Sequence, residues 1–109
     1  MPIEDDAYEK VRLELRRGSL VLAVLAALKH ERYGYTLRKE LADAGLAIDE
    51  GALYPMLRRL EAQGVLTSEW REEDKRNKRF YRLSSEGAAL LAELTDEWRA
   101  INSSLNRLI

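Results

Sequence analysis

The sequence predicts a mainly α-helical fold with a two-stranded β wing and a long C-terminal helix. Two observations lead to this class. Apolar residues recur three and four residues apart over most of the chain, as they do along one face of a helix. Two short strand-like segments late in the chain flank a polar loop, as the strands of a hairpin do. With 109 residues, of which 46% are hydrophobic, we expect one modest core.

The first part of the chain is expected to form two helices. Residues 4–16 have apolar side chains at helical spacing, and Gly18 breaks the pattern. Ser19 is suited to cap a second helix that ends near Lys29. This second helix is apolar nearly all round, so it should lie at the centre of the core.

Two further helices are predicted before the hairpin. One spans residues 34–44 and ends at a glycine, and the other is capped by Asp49 and ends at Gly64. Because Pro55 lies inside this fourth helix, either its first turn is loosened or its regular part begins near Leu53. The side chains predicted to face inward are Leu37, Leu41, Leu53, Met56, Leu57 and Leu60.

The hairpin and the last helix follow. Val65–Trp70 and Arg79–Leu83 are predicted strands, and Asn77 is the loop residue best suited to a left-handed conformation. Ser84 or Ser85 then caps the long last helix. The predicted order is four helices, a hairpin and a final helix.

Composition argues against catalysis, metal binding and secretion. Cysteine is absent, so neither a disulfide nor a thiolate metal site can form. His30 is the only histidine, and the sequence has no phosphate loop, nucleophile elbow or cluster of metal ligands. The first ten residues are acidic, unlike a secretion signal, and the apolar stretch 20–28 is too short to cross a bilayer. We expect a cytoplasmic protein that is not an enzyme and uses no cofactor, metal or membrane.

Charge and element order point to duplex DNA instead. Consecutive third and fourth helices followed by a hairpin form a winged helix-turn-helix, in which a helix reads base edges and the wing holds phosphates. Residues 71–82 contain six basic and three acidic side chains, whereas the whole chain has a net charge of −1. At about 100° per residue, one outward face of the fourth helix collects polar and aromatic side chains. Its members are Gly51, Tyr54, Pro55 and Arg58, with Arg59 at the border.

The last helix carries an apolar seam that is typical of helix pairing. Its residues alternate three and four apart over nearly three heptads: Leu91, Leu94, Trp98, Ile101, Leu105 and Leu108. The stripe could pack on its own domain, but a helix of about 25 residues spans roughly 37 Å, longer than so small a body covers. The seam therefore favours a homodimer, and we divide the chain into a DNA-binding unit (1–83) and a dimerisation helix (84–109).

Several short motifs now support a family resemblance. They are GALYPMLRRLE at 51–61, Gly64-Val65-Leu66, Glu69-Trp70, RFYRL at 79–83, Tyr33-Gly34-Tyr35 and Glu86-Gly87. Together they resemble the PadR family of bacterial transcriptional regulators over nearly the whole chain. The length is similar to that of the small subfamily with a single C-terminal helix.

The resemblance implies a homodimeric repressor that binds double-stranded DNA at a two-fold symmetric operator and is released by a small aromatic or drug-like effector. The DNA-binding residues it implies are Tyr35, Lys39, Gly51, Tyr54, Pro55, Arg58, Arg59, Lys75, Arg76, Lys78 and Arg79. In some relatives a tryptophan at the position of Trp98 stacks on flat ligands at the dimer interface, and Asn102 and Tyr8 are further candidates for effector contacts.

Two departures from the family pattern keep a second hypothesis open. Asp49 and Glu50 stand where relatives often have small polar residues, and carboxylates near phosphates lower affinity for DNA. The wing also lacks the glycines common in the family. With the acidic overall charge, these features leave a winged helix that binds a protein partner and no DNA as the alternative.

Overall fold

A computed structural model describes residues 5–109 and contains four helices and a three-stranded antiparallel sheet. The helices are α1 (Asp5–Ala27), α2 (Gly34–Asp43), α3 (Glu50–Ala62) and α4 (Ser85–Leu108). The strands are β1 (Arg32–Tyr33), β2 (Leu66–Glu73) and β3 (Arg76–Leu83), in the order β1-β3-β2. The mainly α winged helix-turn-helix fold predicted from the sequence is confirmed.

Helix α1 is one continuous helix of 23 residues, so the predicted break is wrong. Gly18 lies in its interior, exposed, with nothing within 4 Å of the place where a Cβ would stand. A glycine there costs only about 1 kcal/mol relative to alanine. Once the C-terminal half is held by the buried Val24 and Leu25, extending the helix back through Gly18 and Ser19 requires no new nucleation.

The core forms where α1, α2 and α3 meet the start of β2 and the end of β3. All six side chains predicted to face inward from α2 and α3 are buried, and they pack with Leu25, Leu28 and Leu66. Gly45 and Gly64, with φ of +82° and +80°, end α2 and α3 as predicted. These two helices are therefore fixed on the core by one apolar face and leave the other face free.

The first turn of α3 is regular in spite of Pro55. The Asp49 carboxylate accepts a hydrogen bond from the Ala52 backbone N–H at 2.9 Å, which is the predicted N-cap. Helix α3 then runs from Glu50 through Pro55 without interruption. The Pro55 ring crowds the backbone carbonyl four positions earlier, which belongs to Gly51, the residue type whose backbone adjusts most readily.

The hairpin is longer and its turn tighter than predicted. Cross-strand pairs continue to Glu73 and Arg76, so only Asp74 and Lys75 remain for the turn, and both have positive φ (54° and 63°). The expectation that Asn77 takes the left-handed conformation is wrong, because Asn77 is paired with the opposite strand. A two-residue turn with positive φ at both positions matches the twist of the strands, whatever the residue types.

Helix α4 begins inside the core and continues beyond it. The Ser84 hydroxyl accepts a hydrogen bond from the Gly87 N–H at 2.9 Å, and Gly87 lies against the Val65 carbonyl, where a Cβ would not fit. Leu91 is buried, whereas every residue from Asp96 onward is exposed. Within residues 5–109, no helix is long and apolar enough to span a membrane.

Candidate nucleic-acid interface

The outward face of α3 presents two arginines that have no acidic partner. Arg58 and Arg59 are exposed, as are Gly51 and Pro55. Among residues 5–109, no carboxylate lies within 4.0 Å of either guanidinium. Both side chains can therefore bind an anion or a base edge without first leaving a carboxylate.

Tyr54 is half-buried, because its ring fills the space that Gly34 leaves open at the start of α2. A Cβ on Gly34 would overlap the hydroxyl and the ring of Tyr54. The ring also packs against the edge of the hydrophobic core. Tyr54 therefore joins α2 to α3 as well as lining the outer surface beside Arg58.

On α2, two predicted contact residues are exposed. Tyr35 is 60% exposed, and the Lys39 ammonium lies 3.5 Å from the Asp43 carboxylate in a solvated pair. Such a pair contributes about 0–1 kcal/mol and leaves the lysine available to phosphate.

The acidic pair that precedes α3 is engaged in the fold. Asp49 caps the helix, and the Glu50 carboxylate lies 3.0 Å from the Arg38 guanidinium. Arg38 was not predicted from the sequence. Its partner is 12 positions away, a separation at which no helical or strand spacing signals a contact.

The wing carries two kinds of cation. Lys75 and Arg76 at the tip are exposed, and no carboxylate among the described residues pairs with them. The side chain of Lys78 is only 15% exposed and lies 3.3 Å from Glu73. Burial of the ammonium opposes its charge, but the hydrogen bond to Glu73 and the neighbouring Tyr33 side chain, whose ring centroid lies 4.4 Å from Nζ, raise the pKa of Lys78 above its usual value. Lys78 is therefore charged and already paired with a carboxylate of the wing, unlike the two cations at the tip.

Arg79 is also paired, and it points to α3. Its Nη2 donates to Glu61 Oε1 at 2.8 Å and its Nε donates to the Ser68 hydroxyl at 3.0 Å. Trp70 and Tyr81 flank the guanidinium, with ring centroids at 5.6 and 5.4 Å. Burial raises the pKa of the Tyr81 phenol, although the charge of Arg79 opposes this shift.

A groove of about 400 Å³ lies between the start of α2, α3 and the wing. Tyr35, Arg38, Tyr54 and Trp70 line it together with the side chains of the inner wing face. Trp70 is 62% exposed and was not predicted as a site residue. Its signal was present, because alternation along β2 places it on the same face as Ser68.

The apolar seam of α4 divides into two parts. Leu91 is in the core of its own domain and Leu94 is half-buried, whereas Trp98, Ile101 and Leu105 are 45–49% exposed and Leu108 is 84% exposed. The division into residues 1–83 and 84–109 stays a prediction, since the first turns of α4 share the core.

Two of the three candidate effector residues lie in one groove. Trp98 and Asn102 line a groove of about 630 Å³ between α1 and α4, together with Leu15, Leu94 and Ile101. Tyr8 is 58% exposed nearer the start of α1 and does not line it. In the described residues, no group of three or more acidic or histidine side chains could hold a metal ion.

Comparisons with known proteins identify the family that this chain is similar to. Residues 21–93 match the transcriptional regulator PadR-like family. A protein named as a transcriptional regulator of Mycobacterium tuberculosis is 42% identical over 81 residues, which cover 73% of this chain and 76% of that relative. Both the family and this relative are named as regulators of transcription and not as enzymes.

Solved structures show the same fold. The crystal structure of a PadR family transcriptional regulator from Eggerthella lenta is 42% identical, with a TM-score of 0.88 over 95% of this chain and 93% of that one. A PadR-like transcription factor from Bacteroides fragilis is 30% identical, with a TM-score of 0.77 over 92% and 99% of the two chains. The family match, the relatives and the shared fold together show that this chain belongs to the PadR family of transcriptional regulators.

Proposed function

We propose that this protein is a repressor that binds a two-fold symmetric DNA operator as a homodimer and releases it when a small aromatic or drug-like effector binds. The observation that carries the proposal is the exposed face of α3, where Arg58 and Arg59 have no acidic partner, beside a basic wing tip. An exposed helix face with free arginines suits the major groove, where arginine reads guanine. Cations at a hairpin tip suit the adjacent phosphates or the minor groove.

The proposed contacts fall into two groups. Tyr54, Pro55 and Arg58 approach base edges, because they lie on the outer face of α3. The others contact the backbone and fix the register of the helix in the groove. The backbone group consists of Tyr35, Lys39, Gly51, Arg59, Lys75 and Arg76. Of the wing cations expected from the sequence, Lys78 and Arg79 are left out of this group, because Glu73 and Glu61 already hold them.

Exposed apolar surface on α1 and α4 supports a homodimer. Trp98, Ile101 and Leu105 continue the seam of α4 beyond the point where its own domain covers it. On the neighbouring α1, Val11 and Leu15 are 68% and 76% exposed. Contiguous apolar side chains at this exposure are typical of a surface that a partner covers.

The groove beside Trp98 supports an effector site. It is lined mainly by apolar side chains, with Ser19, Glu97 and Asn102 as polar groups, which suits a flat ligand with a few polar atoms. Because the groove adjoins the proposed dimer surface, a ligand there is placed to change the distance between the two copies of α3.

Titration of the DNA upstream of the protein's own gene, at two salt concentrations and against a random duplex, tests the proposal. We expect tighter binding to the upstream fragment and weakening of both complexes as salt rises, because phosphate contacts release counterions. The absence of binding to either duplex at low salt would contradict the proposal and favour a winged helix that binds a protein partner. A reporter gene behind the same fragment tests repression, which requires lower expression in the presence of the protein.

A further inference from the structure

Three side chains from three elements form a closed hydrogen-bonded triangle at the junction of α3 and the wing. Ser68 on β2 donates to Glu61 Oε2 at 2.6 Å, and Arg79 on β3 donates to Ser68 at 3.0 Å and to Glu61 Oε1 at 2.8 Å. Glu61 lies in the last turn of α3. Both carboxylate oxygens and two guanidinium nitrogens are therefore used inside the fold.

We propose that Glu61, Ser68 and Arg79, here called the latch, set the angle of the wing relative to α3. Glu61 and Arg79 are then positioning residues, and Arg79 is not a phosphate contact. This inference rests on the proposed DNA-binding function and deepens it. It replaces the sequence-based assignment of Arg79 to the group of DNA-contacting wing cations.

The environment of Arg79 favours this role. The Arg79 and Glu61 side chains are only 34% and 27% exposed, so water screens their attraction less than it does for the solvated Lys39–Asp43 pair. To bind a phosphate, Arg79 would have to break its contact with the Glu61 carboxylate. That carboxylate would then remain part-buried without a cationic partner. Removing one member of such a pair is more costly than removing both.

The position of the latch explains why its geometry matters for DNA binding. Glu61 follows Arg58 by three residues, about one turn of the helix. In the other direction, Arg76 at the start of β3 lies three residues from Arg79, about 10 Å at 3.3 Å per residue. A tilt of about 10° at the latch moves the wing tip by about 2 Å, which is enough to break a hydrogen bond to a phosphate.

One substitution, Glu61→Gln, distinguishes the positioning role from a purely electrostatic one, because the two roles predict opposite changes in affinity for DNA. Glu61→Gln removes a negative charge near DNA, so charge alone would strengthen binding. If Glu61 positions the wing, the same change weakens binding to the upstream fragment, by about 5- to 30-fold. Glu72→Gln is the matched control, because Glu72 is an exposed wing carboxylate outside the latch, and we expect it to strengthen binding slightly.

Salt dependence tests Arg79 directly. A phosphate contact contributes about 0.9 to the slope of log affinity against log salt, so Arg76→Met should lower the slope by about that much per subunit. Arg79→Met should weaken binding to the upstream fragment. In a chain that already carries Lys75→Met and Arg76→Met it should lower the slope no further, because the latch acts through the contacts of the wing tip. The double variant Glu61→Gln with Arg79→Met should lose no more than Arg79→Met alone, since both changes remove the same latch.

Two outcomes would overturn the inference: stronger binding by Glu61→Gln, or a further fall of about 0.9 in the slope when Arg79→Met is added to Lys75→Met and Arg76→Met. Spin labels on Ala52→Cys and Glu72→Cys give a readout that needs no DNA and no folded Arg79 variant, because the chain has no cysteine of its own. Glu61→Gln should broaden the distance distribution between them, and an unchanged distribution contradicts the latch. If the unmodified protein binds no duplex, the proposed function fails. The distance distribution between the two spin labels still shows whether the latch fixes the angle of the wing.

Discussion

At the scale of single residues, the cations around α3 differ in whether a carboxylate already holds them. Arg58, Arg59, Lys75 and Arg76 have no acidic partner among the described residues. Lys78, in contrast, is held by Glu73 and Asp74 at 3.3 and 3.7 Å. A free cation binds phosphate or a base without giving up an existing contact, so the first group is the better source of DNA affinity.

Arg58→Ala tests whether α3 reads a base. If Arg58 donates two hydrogen bonds to a guanine, its loss should weaken binding to the upstream fragment by about 1–3 kcal/mol and weaken binding to random DNA much less. Competition titrations with the two duplexes measure this difference. Arg99→Ala, on the exposed part of α4, is the control and should leave both affinities unchanged. Equal losses on both duplexes for Arg58→Ala would make Arg58 a phosphate contact only.

The sequence could predict which residues face outward on α3, because rotation of about 100° per residue fixes that face. It could not predict which cations are paired. Arg79 meets Glu61 across 18 positions, and no local spacing signals such a contact. Trp70 differs, because alternation along β2 is visible in the sequence and places its side chain on the same strand face as Ser68, so this exposed aromatic was predictable.

At the scale of elements, the contact between Gly34 and Tyr54 holds α2 and α3 together. Gly34→Ala would drive a methyl group into the Tyr54 ring and should lower the free energy of unfolding by about 1–3 kcal/mol. Gly18→Ala is the matched control, because Gly18 lies in a helix with open space around it and should gain about 0.5–1 kcal/mol. Urea denaturation measures both. A Gly34→Ala variant as stable as the unmodified protein would contradict the tight approach.

Element boundaries were predictable where a cap or an apolar face determines them. Asp49, Gly45 and Gly64 mark ends of α2 and α3 that the structure confirms. The sequence predicts a break at Gly18, but a glycine inside a helix costs only about 1 kcal/mol, so α1 continues through it. Strand β1 has two residues and no periodicity, so its pairing with β3 appears only in the folded chain.

At the scale of the whole molecule, the exposed seam of α4 is the surface that we propose for dimerisation. Ile101→Asp places a charge in that seam and should convert a dimer into monomers, because an unpaired carboxylate is costly to bury. Sedimentation velocity measures the mass of each variant. Ser103→Asp, about 200° further round the helix, is the control and should remain dimeric. A dimeric Ile101→Asp variant would place the interface elsewhere.

The fold and the family of the whole chain could be predicted from local patterns. Which part of the α4 seam packs on its own domain and which part stays exposed could not. Leu91 and Ile101 obey the same three-and-four spacing, yet one is buried in its own domain and the other is exposed. The spacing shows that a face is apolar and leaves open which surface covers it.

A footprint of the protein on its own upstream DNA tests the central claim most directly. If a homodimer inserts two copies of α3 into the major groove, cleavage should be protected at two patches related by two-fold symmetry, with centres about 10–10.5 base pairs apart. Arg58→Ala should remove protection of the bases at both patches together. A single protected patch, or two patches without symmetry, would contradict the proposal that a homodimer binds a two-fold symmetric operator.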